Sequence, residues 1–382
     1  MPRRNCVLIA LMSLAAEGTP RLALELSREW IAVGVQPIIV VMQGSPNDLA
    51  SDFEALGLER ITLNLPERGY ARYLILAFQI FRIARAHRPA ALLSMSLGWH
   101  AFMAIGARLA GVDRIIAHVG NYPDASTGNA FRKFKFLVQF GRPFTDSLVC
   151  CSQYVRAGTV LHFGVKHSET AVIYNGLPTA FSRCDRKPSR RTNEAPFIIG
   201  MVARLEGHKD QPTLIRAARI LKTRGRNIRV WLIGDGSRRH ELELLIDAED
   251  VADTVELLGM RKNVVDLITQ MHLFAFSTTS DEGFGIALIE AMAATVPVVA
   301  SDVGACREVL DNGRLGTLVA PADPAALANA IDAVLADATI ADARAQLAQQ
   351  KVASAFSMTD MARGYSDLLG LPMPETSPDF AA

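Results

Sequence analysis

Cysteine is scarce in this chain. Five residues in 382 (Cys6, Cys150, Cys151, Cys184 and Cys306) are odd in number, contain no Cys-x-x-Cys pair, and mostly lie in apolar, strand-like runs. That disfavours both a disulfide framework and a zinc site and predicts reduced thiols in a cytoplasmic protein. The eight histidines show no metal-ligand spacing either. Surplus charge is missing too: 40 Lys and Arg against 39 Asp and Glu leave a net charge of +1, which gives no case for a nucleic-acid partner. The balance is uneven along the chain, however. Residues 1–170 hold 18 basic and 12 acidic side chains, a surplus of +6, so the remainder stands at −5. A basic first half suits an anionic acceptor or an anionic membrane surface. No run reaches the roughly 18 apolar residues of a membrane span. No repeat of solenoid period is visible.

What is present is ordinary for a soluble globular protein, with 50% apolar and 21% charged residues. The length predicts two or three domains. The start needs care, because Arg3-Arg4 followed by the apolar run Cys6 to Ala16 resembles a secretory signal. The competing reading, which we favour, is a buried first strand from Cys6 to Met12 leading into a helix. Thr19 would cap that helix and Pro20 would take its first position.

Strand-like runs alternate with helical patterns throughout, which predicts parallel sheets with crossover helices. The first series has strands near 6–12, 36–42, 60–64, 91–96, 114–119 and 147–152, then a short one at 171–174. A second series begins at Phe197 and continues at 228–233, 254–258, 272–276, 296–300 and 316–319. Between them Ser182 to Pro196 is rich in Arg, Lys, Ser and Pro and reads as a linker. The domains are therefore expected at 1–180 and 197–356, joined by 181–196. A helix follows at 357–371, and 372–382 reads as a disordered tail.

The most informative stretch is Ser280-Asp281-Glu282-Gly283-Phe284-Gly285-Ile286, which runs on as a helix through Glu290 to about Ala294. Gly283 and Gly285 let the backbone pass close to a ligand. The first amides of the helix then face the same space, which suits a phosphate. Glu282 and Glu290 lie eight residues apart, roughly 12 Å along a helix. They can reach different parts of one extended ligand with an anion between them, as a nucleotide-diphosphate-sugar requires. Such Gly-x-Gly turns also simply connect strands to helices, so the continuation Thr295 to Gly304, a buried strand ending in a second glycine loop, carries weight.

Glu282-x7-Glu290 in this setting resembles the signature of the large retaining glycosyltransferase family 4 (glycosyl transferases group 1). The fold this implies is α/β, of the GT-B type, with two Rossmann-like doubly wound domains whose parallel sheets face a central cleft. The final helix would return to the first domain. Gly200 to Asp210 matches the family's glycine, arginine, lysine pattern, which makes Arg204 and Lys209 the expected cations at the diphosphate. Gly234, Gly236 and Gly259 resemble the glycines that admit base and ribose, with Met260 and Arg261 beside the base. By the same resemblance Glu282 meets the donor sugar and Glu290 the ribose. The amides of Phe284, Gly285 and Ile286 would face the distal phosphate. His118 occupies the position where a histidine contacts the donor sugar, while His100 is less persuasive. Asp302-Val303-Gly304 and Asn312-Gly313 resemble structural turns of the family.

The first loop departs from the family. Glu17-Gly18-Thr19-Pro20-Arg21 keeps one glycine of the usual pair, so Gly18 is left to line the cleft and Glu17 to touch an acceptor hydroxyl. The resemblance implies transfer from a UDP- or GDP-sugar to a glycan or polyprenyl-diphosphate-linked acceptor in cell-surface polysaccharide biosynthesis. It implies no cofactor and no metal. Two basic, aromatic segments, Tyr70 to Arg88 and Phe131 to Phe140, suit contact with the inner membrane surface, although an amphipathic helix packing its Phe side inward reads the same way. Two alternatives stay open: a nucleotide-sugar 2-epimerase on this fold, and a non-catalytic subunit that binds nucleotide or glycan.

Overall fold

The computed structural model describes residues 3–66, 68–123, 125–178, 181 and 195–373. Met1, Pro2, the linker from 182 to 194 with its Cys184, and the tail from 374 lie outside the described residues. The chain forms two compact units, Met1–Gly176 together with Ser357–Ala382, and Leu177–Phe356.

The first unit starts with β1 (Arg3–Leu11), α1 (Gly18–Ala32), β2 (Gln36–Val41), α2 (Ala50–Ala55), β3 (Glu59–Thr62) and α3 (Ala71–His87). It continues with β4 (Pro89–Ser94), α4 (Leu97–Leu109), β5 (Arg114–Val119), α5 (Asn129–Gly141), β6 (Ser147–Cys150), α6 (Gln153–Phe163) and β7 (Thr170–Val172). Its sheet runs β3-β2-β1-β4-β5-β6-β7, and each adjacent pair is parallel. The run Cys6 to Leu11 is at most 2% exposed along its length. A strand buried on both faces reads as a continuous apolar run rather than an alternating one. The first part of the signal-like segment is thus an inner strand of a sheet. Helix α1 begins earlier than expected: Glu17 is its N-cap by backbone position, its side chain does not cap the helix, and Thr19 lies inside the first turn. Pro20 fits there because first-turn amides have no intrahelical acceptor.

The second unit contains β8 (Phe197–Val202), α7 (Gln211–Thr223), β9 (Ile228–Ile233), α8 (Arg239–Ala248), β10 (Val255–Gly259), α9 (Val264–Gln270) and β11 (Leu273–Phe276). It closes with α10 (Ile286–Ala293), β12 (Val298–Ser301), α11 (Gly304–Val309), β13 (Thr317–Val319), α12 (Pro324–Ala336) and α13 (Thr339–Ala355). Its parallel sheet runs β10-β9-β8-β11-β12-β13. The strand order reverses between β8 and β11, which are direct neighbours. In doubly wound sheets ligands bind at the carboxyl ends of the strands at such a reversal. Ile199, Val230, Leu232, Leu273 and Ala275 form the sheet side of a core closed by Leu214, Ala218 and Leu221 of α7 and Ile331 of α12.

A last helix, α14 (Met358–Leu369), belongs to the first unit. Trp30, fully buried on α1, donates from Nε1 to Ser366 Oγ at 2.9 Å, and Thr359 donates to Glu29 at 3.0 Å. A Cβ on Gly176 would fall 2.4 Å from the Ser357 carbonyl oxygen, so the outgoing chain passes the returning one only as glycine. Among the described residues no single helix is long and apolar enough to cross a membrane. Four cysteines, Cys6, Cys150, Cys151 and Cys306, are buried as thiols outside any disulfide.

Candidate active site

Two loops leave the β8–β11 reversal, one at 203–210 and one at 277–285, and backbone bonds stitch them together. Asp210 N–H donates to the Ser277 carbonyl at 3.1 Å, Thr279 N–H donates to the His208 carbonyl at 3.1 Å, and Thr278 Oγ1 donates to the same carbonyl at 2.9 Å. Asp210 then caps α7 by accepting from Thr213 N–H. The stitching fixes the side chains of both loops.

Lys209 and Glu282 meet as a result. The ammonium contacts Glu282 Oε2 and also lies 5.2 Å from the ring centre of Phe276, with the Lys and Glu side chains 13% and 8% exposed. The Phe284 amide donates to Glu282 Oε1 at 3.4 Å. Burial pushes the Glu282 carboxyl up, but Lys209, the Phe284 amide and His208 together outweigh it and hold the group below its ordinary range. His208 is half-buried, and desolvation with the Lys209 charge lowers its pKa. The two residues expected to touch different parts of the donor, the phosphate and the sugar, are therefore paired with each other here. One amide expected at the distal phosphate, that of Phe284, is turned to Glu282.

Arg204 is exposed on the first of these loops, and its carbonyl accepts from the buried Gln211 Nε2 at 2.8 Å. Gly285 is the N-cap of α10 with φ +84°, and a Cβ there would lie 3.1 Å from the Phe276 ring. Phe276 thus sits under both Lys209 and the turn that opens α10. Ile286 starts the helix and Glu290 lies half-buried one turn on, while Gly283 is buried.

The strand-end glycines have a packing cause of their own. A Cβ on Gly234 would fall 2.1 Å from the Ala203 carbonyl oxygen, and one on Gly236 would fall 2.5 Å from that of Leu205. Both are required by the neighbouring loop whether or not a nucleotide is present. Gly259 has φ +68°, which favours glycine on backbone grounds. Met260 beyond it is 50% exposed, and Arg261 with Trp231 and Leu258 lines a shallow recess. The Asp302 turn is closed by a carboxylate–guanidinium pair with Arg307.

In the first unit, His118 is the penultimate residue of β5 and only 4% exposed. Its Nδ1 shares a hydrogen bond of 2.8 Å with the hydroxyl of Tyr365 on α14. Burial lowers its pKa to about 4, so the imidazole is neutral near pH 7. Sequence reasoning missed Tyr365, 247 residues downstream. His100 is equally enclosed, with Nε2 sharing a 2.7 Å bond with Thr145 Oγ1. Gly18 opens α1 behind Glu17. Among the described residues no group of three His, Cys, Asp or Glu side chains could hold a metal ion.

The family model described as glycosyl transferases group 1 matches residues 183–352, and that described as glycosyltransferase family 4 matches residues 16–181. The chain belongs to the family 4 glycosyltransferases of GT-B fold. Among these glycosyltransferases, the glycogen synthase of Mycobacterium tuberculosis is 31% identical over 230 residues, which is 57% of this chain. The chain spans about half, 52%, of that relative's length. The putative glycosyltransferase EpsF of Bacillus subtilis is 25% identical over 78% of this chain and 79% of its own. Anabaena HepE, solved in complex with UDP-glucose, shares the glycosyltransferase fold at a TM-score of 0.83, with 20% identity and coverage of 96% and 99%.

Proposed function

We propose that the protein is a retaining glycosyltransferase that moves a sugar from a UDP- or GDP-sugar to a glycan or lipid-linked glycan, within cell-surface polysaccharide biosynthesis at the cytoplasmic side of the membrane. The observation that carries this reading is the meeting of Lys209 and Glu282 beneath the opening of α10, at the strand reversal of the second unit. A cation, a carboxylate and a helix N-terminus meet there, the groups that a diphosphate and a sugar hydroxyl call for. Relatives support the substrate class: HepE was solved with UDP-glucose, and CapM of Staphylococcus aureus, 28% identical over 52% of this chain, is a capsular polysaccharide biosynthesis glycosyltransferase.

Arriving diphosphate competes with Glu282 for the Lys209 ammonium, freeing the carboxylate for a sugar hydroxyl. Arg204 supplies the second cation, and no metal is assigned to the step. His118, neutral, is a hydrogen-bonding group and not an acid. The bond from the anomeric carbon to the diphosphate oxygen breaks, and the acceptor oxygen bonds to the same face. The acceptor proton passes to the departing phosphate oxygen.

Calorimetric titration of UDP and GDP into the wild type and Arg204→Ala tests the donor site, since Arg204 is exposed and its loss spares the fold. One nucleotide should bind, and the variant should lose about tenfold or more, the weight of a charge-assisted contact to phosphate. If neither nucleotide binds the wild type, the donor site is misassigned. Turnover of a UDP-sugar to its epimer without acceptor would replace transfer with epimerisation.

A further inference from the structure

The first unit displays apolar side chains where a soluble surface has little reason to. Tyr70, Leu74 and Phe78 are 81%, 73% and 59% exposed, and their four-residue spacing puts them on one face of α3. Phe136 and Phe140, 65% and 44% exposed, repeat the pattern on α5. Ring contacts run between the two stripes across α4, starting from Tyr70, whose ring lies 6.5 Å from that of Tyr73. Tyr73 stacks on Phe102 at 4.6 Å, Phe102 lies 6.0 Å from Phe140, and Phe140 lies 6.1 Å from Phe136. At the end of this band is a recess of about 360 Å³ lined by Arg68, Gly69, Tyr70, Arg72, Tyr73 and Lys133, with the Lys133 ammonium 5.8 Å from the Tyr70 ring.

The segments that carry the band hold charge of one sign. Residues 68–112 and 125–145 contain no Asp or Glu, yet carry Arg68, Arg72, Arg82 and Arg85 on one side and Arg132, Lys133 and Lys135 on the other. A second copy of the chain would place the same patch against itself, cations facing cations. A planar anionic surface satisfies all of them at once, and an exposed apolar band rimmed by cations supplies the two signals that stable interfacial binding needs. We propose that this face docks on an anionic phospholipid bilayer, with the Leu74, Phe78, Phe136 and Phe140 side chains at headgroup depth and a lipid phosphate in the Arg68–Arg72–Lys133 recess. Docking is independent of the transfer reading, because it can be measured without donor or acceptor.

The test is sedimentation of the full chain with vesicles of phosphatidylcholine alone, and of phosphatidylcholine mixed with phosphatidylglycerol. The protein should pellet with the mixed vesicles only, and less so as salt rises. Lys133→Ala should lower partition about fivefold, from about 1 kcal/mol per basic residue near the surface. Phe78→Ser/Phe136→Ser should lower it about tenfold or more. Both sites are exposed, so circular dichroism should show the fold intact. Lys262→Ala, an exposed cation of the other unit, should leave partition unchanged. Equal binding to neutral vesicles, no binding at low salt, or full binding by the Phe variant each overturns the proposal. So does complete displacement from vesicles by inorganic phosphate at constant ionic strength, or a dimer in light scattering that the Phe variant abolishes.

Discussion

Replacing Lys209 by Met removes the counter-charge of a carboxylate that is only 6% exposed. Breaking a buried pair from one side costs about 3–5 kcal/mol, because the remaining charge stays buried and unpaired. Taking the lower end for a pair still reached by some solvent, we expect Lys209→Met to destabilise the second unit by about 3 kcal/mol. For a unit of this size that lowers its melting temperature by roughly 6–12 °C. Glu282→Gln should cost less, since Lys209 keeps its place over Phe276. The double variant should recover much of the loss, a coupling of at least about 1 kcal/mol. The pH dependence gives a second readout. In the wild type the carboxyl is held below its ordinary 4.5, so its stabilisation is complete above 4.5 and is lost as pH falls through the folded value. Without Lys209, burial raises the carboxyl instead. Its contribution is then greatest below 4.5 and fades as pH rises through the new value, so the slope changes sign. Hydrogen exchange at β8 and β11 amides across pH isolates this unit from the other. Additive single variants, or an unchanged slope in Lys209→Met, would refute the reasoning.

Acidification should weaken the first unit between pH 6.5 and about 4, because His100 and His118 stay neutral when folded and charge when unfolded. The loss is on the order of 3 kcal/mol each, visible as a melting temperature that falls over that window. For the same reason His118 should leave no inflection near 6.5 in a pH–rate profile. Tyr365→Phe should cost about 1–3 kcal/mol by stripping His118 Nδ1 of its partner, and chemical denaturation would read it. Gly234→Ala should disrupt the 203–205 loop and weaken nucleotide binding, whereas Gly207→Ala, with nothing near the new methyl, should bind UDP or GDP as the wild type does.

Strands and helices were legible because strands buried on both faces and amphipathic helices leave different periods. The expected runs fall on strands throughout, with ends displaced by at most three residues. Charges were legible as charges, but not their pairings. Lys209 and Glu282 are 73 residues apart, and neither residue's neighbours announce that the two loops are stitched together. Gly234 and Gly236 were visible as strand-end glycines, yet what demands them is the backbone of residues 203–205. The aromatic segment of α5 splits its rings between two faces. Phe131 and Phe134 pack on Phe163 of α6, while Phe136 and Phe140 face out. A helix with apolar residues on more than one face carries no local sign of which one is covered.

The placement of α14 bears on how the protein is made. The ribosome releases residues 1–176 first, yet the groove over Trp30 and His118 is filled by residues 358–369. At about 5–20 residues per second, roughly 10–40 s of further synthesis separate the end of the first sheet from the helix that completes it. During that interval the nascent first unit shows its Trp30 side to the surroundings while the second unit can already close. The unit that begins first is therefore the last to be finished, and a nascent chain arrested before residue 358 should bind chaperones through the α1 surface.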